Sequence, residues 1–136
     1  MQLLAFDYGL KHIGVATGQS VTATATPLSI LPAKDGTPDW GEIEKLLKEW
    51  QPDVVVVGLP LNMDDSESEM SARARKFAAR IHGRFGVKVE LVDERLSSFE
   101  AKIEDRGMET GEASRDKTID AVAASLILQS WMNENL

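Results

Sequence analysis

Residues 2–31, QLLAFDYGLKHIGVATGQSVTATATPLSIL, hold three short β-like runs parted by glycine-bearing turns. Gln2 to Asp7 is apolar and closes on an acid, and Tyr8-Gly9-Leu10-Lys11 follows as a turn. Ile13 to Gly18 is the second run, and the Thr/Ala/Val-rich stretch Val21 to Leu31 is the third. Consecutive strands this close together, with glycine between them, read as an antiparallel meander.

Beyond the meander the pattern changes period. Thr37-Pro38-Asp39 offers a Thr cap with Pro at the first helical position, and Trp40, Ile43, Leu46, Leu47 and Trp50 recur at helical spacing until Pro52 ends the helix. Val54 to Val57 is a continuous β-branched run, as in a strand buried on both faces of a sheet. A loop from Gly58 to Asp65 leads into a helix with Met70, Ala74, Phe77, Ala78, Ile81 and Phe85 on its core stripe, and Gly86 stops it. Val87 to Val92 alternates as a strand. Ser97 and Glu100 make a capping box for a short helix to about Arg106, and Gly107 to Lys117 reads as a polar loop. A last helix is expected from about Thr118 to Asn133, with Ile119, Val122, Ala123, Leu126 and Ile127 inward. A meander followed by two strands joined through helical crossovers predicts one α/β domain spanning residues 1–136. Its sheet should be mixed and five-stranded, three strands antiparallel and two parallel, with helices flanking it.

Composition bounds what such a domain can do. A chain of 136 residues with 43% hydrophobic and 27% charged residues is an ordinary globular domain. It has no cysteine, which excludes disulfides and thiolate zinc sites. The start, MQLLAFDYG, has no basic segment ahead of a long apolar run, and no run approaches the ~18 apolar residues of a membrane span; the expected location is cytoplasmic. The net charge of −7 argues against binding nucleic acid over the whole surface. Charge is uneven, however: ten acids face three lysines between Lys34 and Glu69, whereas Ser71 to Lys88 carries six Lys/Arg and no acid. Arg73, Lys76, Arg80 and Arg84 recur at three- and four-residue spacing, so they share one helix face. That face is either a phosphate-binding surface or simply a solvated one.

Three acids are placed where chemistry could use them. Asp7 ends a strand beside a glycine; a charge there is costly for stability alone, although Asp also serves turns. Asp93-Glu94-Arg95 stands where another strand runs out, at the edge where open α/β sheets build sites. Asp120 borders the apolar stripe of the last helix, in a first turn that favours negative charge in any case. Taken together, three acids from separate elements suit metal-assisted phosphodiester cleavage. Mg²⁺ and Mn²⁺ take oxygen ligands, and a pair of ions about 4 Å apart activates water and stabilises the leaving oxygen. His12 and His82 are the only histidines, and neither is paired with a nucleophile.

The segments Asp7-Tyr8-Gly9-Leu10-Lys11-His12-Ile13-Gly14-Val15-Ala16, Val57-Gly58-Leu59-Pro60-Leu61-Asn62-Met63-Asp64, Asp93-Glu94-Arg95-Leu96-Ser97 and Asp120-Ala121-Val122-Ala123-Ala124 resemble the YqgF/RuvX family in order and separation, over nearly the whole chain. The resemblance implies a ribonuclease H-like fold, similar in architecture to the RuvC resolvases. It further implies a metal-dependent nuclease, either maturing the 5′ end of pre-16S ribosomal RNA or resolving Holliday junctions. Carried over by motif, Asp7, Glu94 and Asp120 are the expected metal carboxylates, for Mg²⁺ or Mn²⁺. Gly9 would admit substrate or metal, and the loop holding Gly58 and Asn62 would line the site. Lys11, Arg73, Lys76, Arg80, Arg84, Arg95 and Lys117 are the expected nucleic-acid contacts. His12 stands where many relatives carry Arg, Asp65 replaces a common glycine, and Asp116 is off the family pattern.

Other readings compete. Actin-like sugar kinases and ATPases also begin on an Asp-x-Gly hairpin, but they need a second domain that 136 residues cannot hold. A non-catalytic RNA-binding factor would gain nothing from gathering three acids at one spot. The partner expected is RNA or branched DNA. A resolvase cutting two strands symmetrically needs a two-fold dimer, and no strong dimer stripe is visible, so a monomer or weak homodimer is expected.

Overall fold

A computed structural model describes residues 1–60, 68–93 and 112–136, with side chains from residue 119 onward in the last segment. The strands are β1 (Gln2–Asp7), β2 (His12–Gln19), β3 (Thr24–Lys34), β4 (Thr37–Pro38), β5 (Val54–Leu59) and β6 (Lys88–Asp93). The helices among the described residues are α1 (Trp40–Trp50), α2 (Glu69–Phe85) and α3 (Glu112–Asn135). One sheet runs β4-β3-β2-β1-β5-β6. The first three strands and β4 pair antiparallel, and β1–β5 and β5–β6 pair parallel. The mixed sheet is the one expected, with six strands in place of five.

The extra strand replaces the expected helix start at Thr37-Pro38. Asp35 and Gly36 both have left-handed backbones, φ 50° and 83°. A two-residue turn of that kind matches the twist of paired strands, so it folds Lys34 onto Thr37 and Ala33 onto Pro38. Proline is tolerated on so short an edge strand because it needs no outward donor. The cap of α1 passes to Asp39, whose carboxylate accepts from the Gly41 N–H at 2.9 Å. At the other end Gln51 takes a left-handed φ of 44° as the helix cap, its N–H donating to the Leu47 carbonyl at 2.9 Å.

Three further boundaries differ. Residues 20–23 form the β2–β3 turn, with Ala23 at φ 53°, so β3 begins at Thr24 and Val21 stands in solvent. β6 covers Lys88–Asp93, one residue later than read. α3 begins at Glu112, inside the expected polar loop. Glu, Ala, Arg and Lys are strong helix formers, and polarity alone does not break a helix. Val122, Ala123 and Ile127 are buried as expected, joined by Ala124, Leu128, Trp131 and Met132, while Ile119 and Leu126 are half-buried. The expected helix at Ser97 lies outside the described residues.

The sheet separates two cores. Leu3, Ala5, Ala16, Val54, Val56 and Val92 face α3. Leu4, Phe6, Ile13, Val15, Val55 and Val57 face α1 and α2, meeting Ile43, Phe77, Ala78 and Ile81. The valine run is buried on both sides, as its composition predicts. α2 is fastened at its start by a reciprocal capping box between Ser68 and Ser71, and the buried Ser71 hydroxyl also donates to the Pro60 carbonyl at the exit of β5. Gly86, at φ 69°, closes the helix. None of the described helices is long and apolar enough to cross a membrane.

Candidate active site

Strand alternation decides which way Asp7 points. Leu3 and Ala5 face α3, so Asp7, two residues further on, shares their face. Its partner across the β1–β2 ladder is Gly14. A Cβ built on Gly14 would run into the Asp120 carbonyl oxygen and lie 3.0 Å from the Ala121 nitrogen. The bare glycine is therefore where the backbone of α3 meets the sheet, and it sets Asp120 down over the residue paired with Asp7. Both acids are half-buried. Two motifs 113 positions apart in the chain thus meet at the backbone, Asp120 of α3 against the strand partner of Asp7.

The neighbouring strands extend that spot. The β1–β5 register ends at Phe6 opposite Val57, and Gly58, the next residue of β5, pairs with Val92 of β6. Val92 belongs to the α3-facing core, whereas Val89 and Leu91 pack on the opposite one. Alternation puts Gly58 on the Asp7 face and Asp93 on the other. Glu94, Arg95 and Asn62 lie outside the described residues, as do the side chains of Asp116 and Lys117. Among the described residues no three Asp, Glu or His side chains form a metal-binding group. Asp7 and Asp120 supply hard oxygen donors of the type that Mg²⁺ and Mn²⁺ take.

The turn after Asp7 is held by residues whose part sequence reading missed. Tyr8 donates its hydroxyl to the Gly36 carbonyl at 2.7 Å, Gly36 N–H donates to Leu10 O at 2.9 Å, and Ala33 N–H donates to Lys11 O at 2.8 Å. The β3–β4 hairpin therefore braces the turn that presents Asp7. The Asp-Gly pair was the available signal. Gly9 sits within that turn, where a Cβ would come 2.5 Å from the His12 carbonyl oxygen, so its first role is to let the turn close. Lys11 is exposed at the same turn.

Arg73, Lys76 and Arg80 do share a face. With Tyr8, Trp40 and Phe77 they line a groove of about 440 Å³. The Arg84 guanidinium lies over the Trp40 ring, 4.4 Å from its centroid. Arg73 is bridged to Glu69 at 3.4 Å and reaches the Asp35 carbonyl at 3.4 Å. The groove belongs to the α1–α2 layer, whereas Asp7 and Asp120 belong to the α3 side. The cations are therefore gathered with one another but not with the carboxylates. Tyr8, the residue after Asp7, and Gly36, which braces the same turn, join the groove to that neighbourhood.

Known proteins resemble this one in sequence and in shape. A Marinobacter nauticus protein named "Putative pre-16S rRNA nuclease" is 58% identical over 136 residues, covering 98% of this chain and 93% of its own. A Yersinia pestis protein of the same name is 58% identical over 135 residues, covering 97% and 94%. Among solved structures, RuvC of Thermus thermophilus in complex with a Holliday junction superposes with a TM-score of 0.62 at 15% identity, covering 99% of this chain and 97% of that one. The Fowlpox virus resolvase in complex with Holliday junction DNA gives 0.55 at 16% identity, covering 100% and 99%. At such identities the likeness is one of fold, and the fold is ribonuclease H-like. The family model for RuvX, described as a Holliday junction resolvase, matches residues 1–134, and the chain belongs to that family.

Proposed function

We propose that this protein is a metal-dependent nuclease that hydrolyses phosphodiester bonds in the cytoplasm, in the 5′-end processing of pre-16S ribosomal RNA. The observation that carries this reading is the packing of Asp120 on Gly14, the strand partner of Asp7. Two half-buried acids on elements that meet at the end of a sheet suit a cation-assisted reaction. The names of the relatives at 58% identity support ribosomal RNA as the substrate.

Asp7 and Asp120, joined by Glu94 from the motif after β6, would hold Mg²⁺ or Mn²⁺. When bound, such ions lower the pKa of a water molecule and neutralise charge on the leaving oxygen. The chain's own part is to fix the two acids on rigid elements, a strand end and a helix, and to keep the turn at 8–11 in place. In the reaction a water oxygen bonds to phosphorus as one bridging P–O bond breaks; one product end carries the phosphate and the other a hydroxyl. Lys11, Arg95 and Lys117 would neutralise phosphates near the acids. Arg73, Lys76, Arg80 and Arg84 would hold a strand that leaves the acids past Tyr8 and enters the α2 groove.

A second reading, cleavage of four-way DNA junctions, is favoured by the family's description and by the fold shared with the junction-bound resolvases. Cleavage of pre-16S RNA and of a four-way junction, assayed side by side with Mg²⁺, Mn²⁺ or excess chelator, separates the two. RNA cut at its 5′ flank only when metal is present supports the first reading. Symmetric nicking of the junction by a dimer would replace it with the second.

A further inference from the structure

A second cavity, of about 500 Å³, opens at β3 where Ala121, the residue after Asp120, meets the sheet. Register assigns its walls. His12 pairs with Pro32, Gly14 with Ile30 and Ala16 with Pro27, so all six positions lie on the face that carries Gly14 and Asp7. Ala121, the residue after Asp120, closes the cavity from the helix. α3 touches the sheet at Gly14, and the cavity lies beside that contact, between Ala121 and β3. Among the described residues its lining holds no Lys, Arg, Asp or Glu; His12 and Ser29 are its polar residues, and Leu28 and Ser29 stand on the side of β3 toward the opposite core. His12, Pro27 and Pro32 are exposed, and Ile30 is half-buried.

Resting on the nuclease reading, we propose that this cavity receives one nucleobase of the RNA strand, next to the phosphate held at Asp7 and Asp120, with His12 and Pro32 as the platform. Among the described lining residues no Lys or Arg offers a phosphate a partner. A flat, largely apolar base does have matching surfaces, because pyrrolidine and imidazole rings and the Ile30 side chain offer extended faces. RNA-binding proteins commonly stack unpaired bases on aromatic or histidine rings. The cavity is within the usual size range of small-molecule sites. His12 thereby becomes a specificity-determining residue that acts through the base, leaving the reaction at phosphorus to the acids.

The closing experiment scans an RNA substrate with single abasic nucleotides through the positions flanking the cleaved bond, using the wild-type protein and a His12→Ala/Ile30→Asn double variant. The wild type is expected to lose about tenfold in kcat/KM when one particular flanking base is removed. The double variant is expected to cleave intact RNA with KM raised by a similar factor and kcat within about twofold, the pattern of lost uniform binding. It should no longer distinguish intact from abasic RNA. Its salt dependence should be unchanged, since no phosphate contact is removed. Full discrimination in the variant, or a scan with no sensitive position, overturns the inference while leaving the nuclease reading intact. Absence of cleavage by the wild type on any RNA overturns the nuclease reading and this inference with it. Dimerisation abolished by the double variant, measured by sedimentation, would give the cavity to a second copy and overturn the inference. Circular dichroism and Pro32→Glu, an exposed change on the same wall, guard against a folding defect: Pro32→Glu should reproduce the loss of discrimination.

Discussion

Gly14 and Asp120 approach so closely that a single methyl group on the glycine has no room beneath the Asp120 carbonyl. Gly14→Ala should therefore push α3 away from the sheet, costing roughly 1–3 kcal/mol in unfolding free energy as an overpacked site does. Cleavage should fall further than stability alone explains, because Asp120 moves with the helix. Gly83→Ala is the control: nothing lies within 4 Å of that added methyl, and an alanine inside α2 should stabilise by about 0.5–1 kcal/mol. Urea titrations of both variants, paired with cleavage assays, check the contrast. Equal behaviour would deny Gly14 its positioning role.

Asp7→Asn and Asp120→Asn keep side-chain shape and remove charge. Each should cut kcat by a factor of about a hundred or more, since metal-borne charge stabilisation is worth several kcal/mol and each 1.36 kcal/mol is tenfold. Circular dichroism should be unchanged. Glu94→Gln tests the third acid in the same assay. Wild-type turnover by a folded Asp7→Asn protein would make Asp7 a structural residue.

Salt reads out the phosphate contacts. If about four phosphates are neutralised along a single strand, log affinity should fall with log salt at a slope of roughly −3. Changing Arg73, Lys76 and Arg80 together to Gln should flatten the slope by about 2 and weaken binding to all sequences alike. Because the groove lies across the sheet from Asp7, kcat at saturating substrate should hardly change. Fluorescence anisotropy over a salt series measures this, and an unaltered slope would leave the α2 face a solvated surface.

Ser71 ties the start of α2 to the exit of β5, through its capping box with Ser68 and its bond to the Pro60 carbonyl. Ser71→Ala removes the bond to Pro60 and the half of the box that Ser71 accepts from the Ser68 N–H, leaving a carbonyl unpaired, so a loss of about 1–2 kcal/mol is expected in thermal or urea unfolding. Ser71→Thr, which keeps the hydroxyl, should recover part of it. A neutral Ser71→Ala would mean that the bond to Pro60 carries no net stability.

Much of this architecture was legible in one dimension. The valine run at 54–57, the stripes of α1 and α2, Pro52, and the stop at Gly86 each act through neighbours a few residues away. So does the Asp35-Gly36 turn, whose hairpin was there to be read, yet the Thr37-Pro38 pair competed with it as a helix start. The start of α3 was misplaced because polar residues with high helix propensity look like a loop when only hydrophobic period is counted.

Motif order singled out Asp7, Glu94 and Asp120 as a candidate set, and the alternation of β1 was enough to say which of its residues share a face. The strand order of the sheet was needed to say what covers each face. The close approach of α3 at Gly14, the brace between Tyr8 and Gly36, and the placing of the α2 cations across the sheet from Asp7 join residues 28 to more than 100 positions apart. Local propensities do not encode such pairings; they arise when two apolar helix layers bury opposite faces of one sheet and every side chain must take the side its strand parity allows.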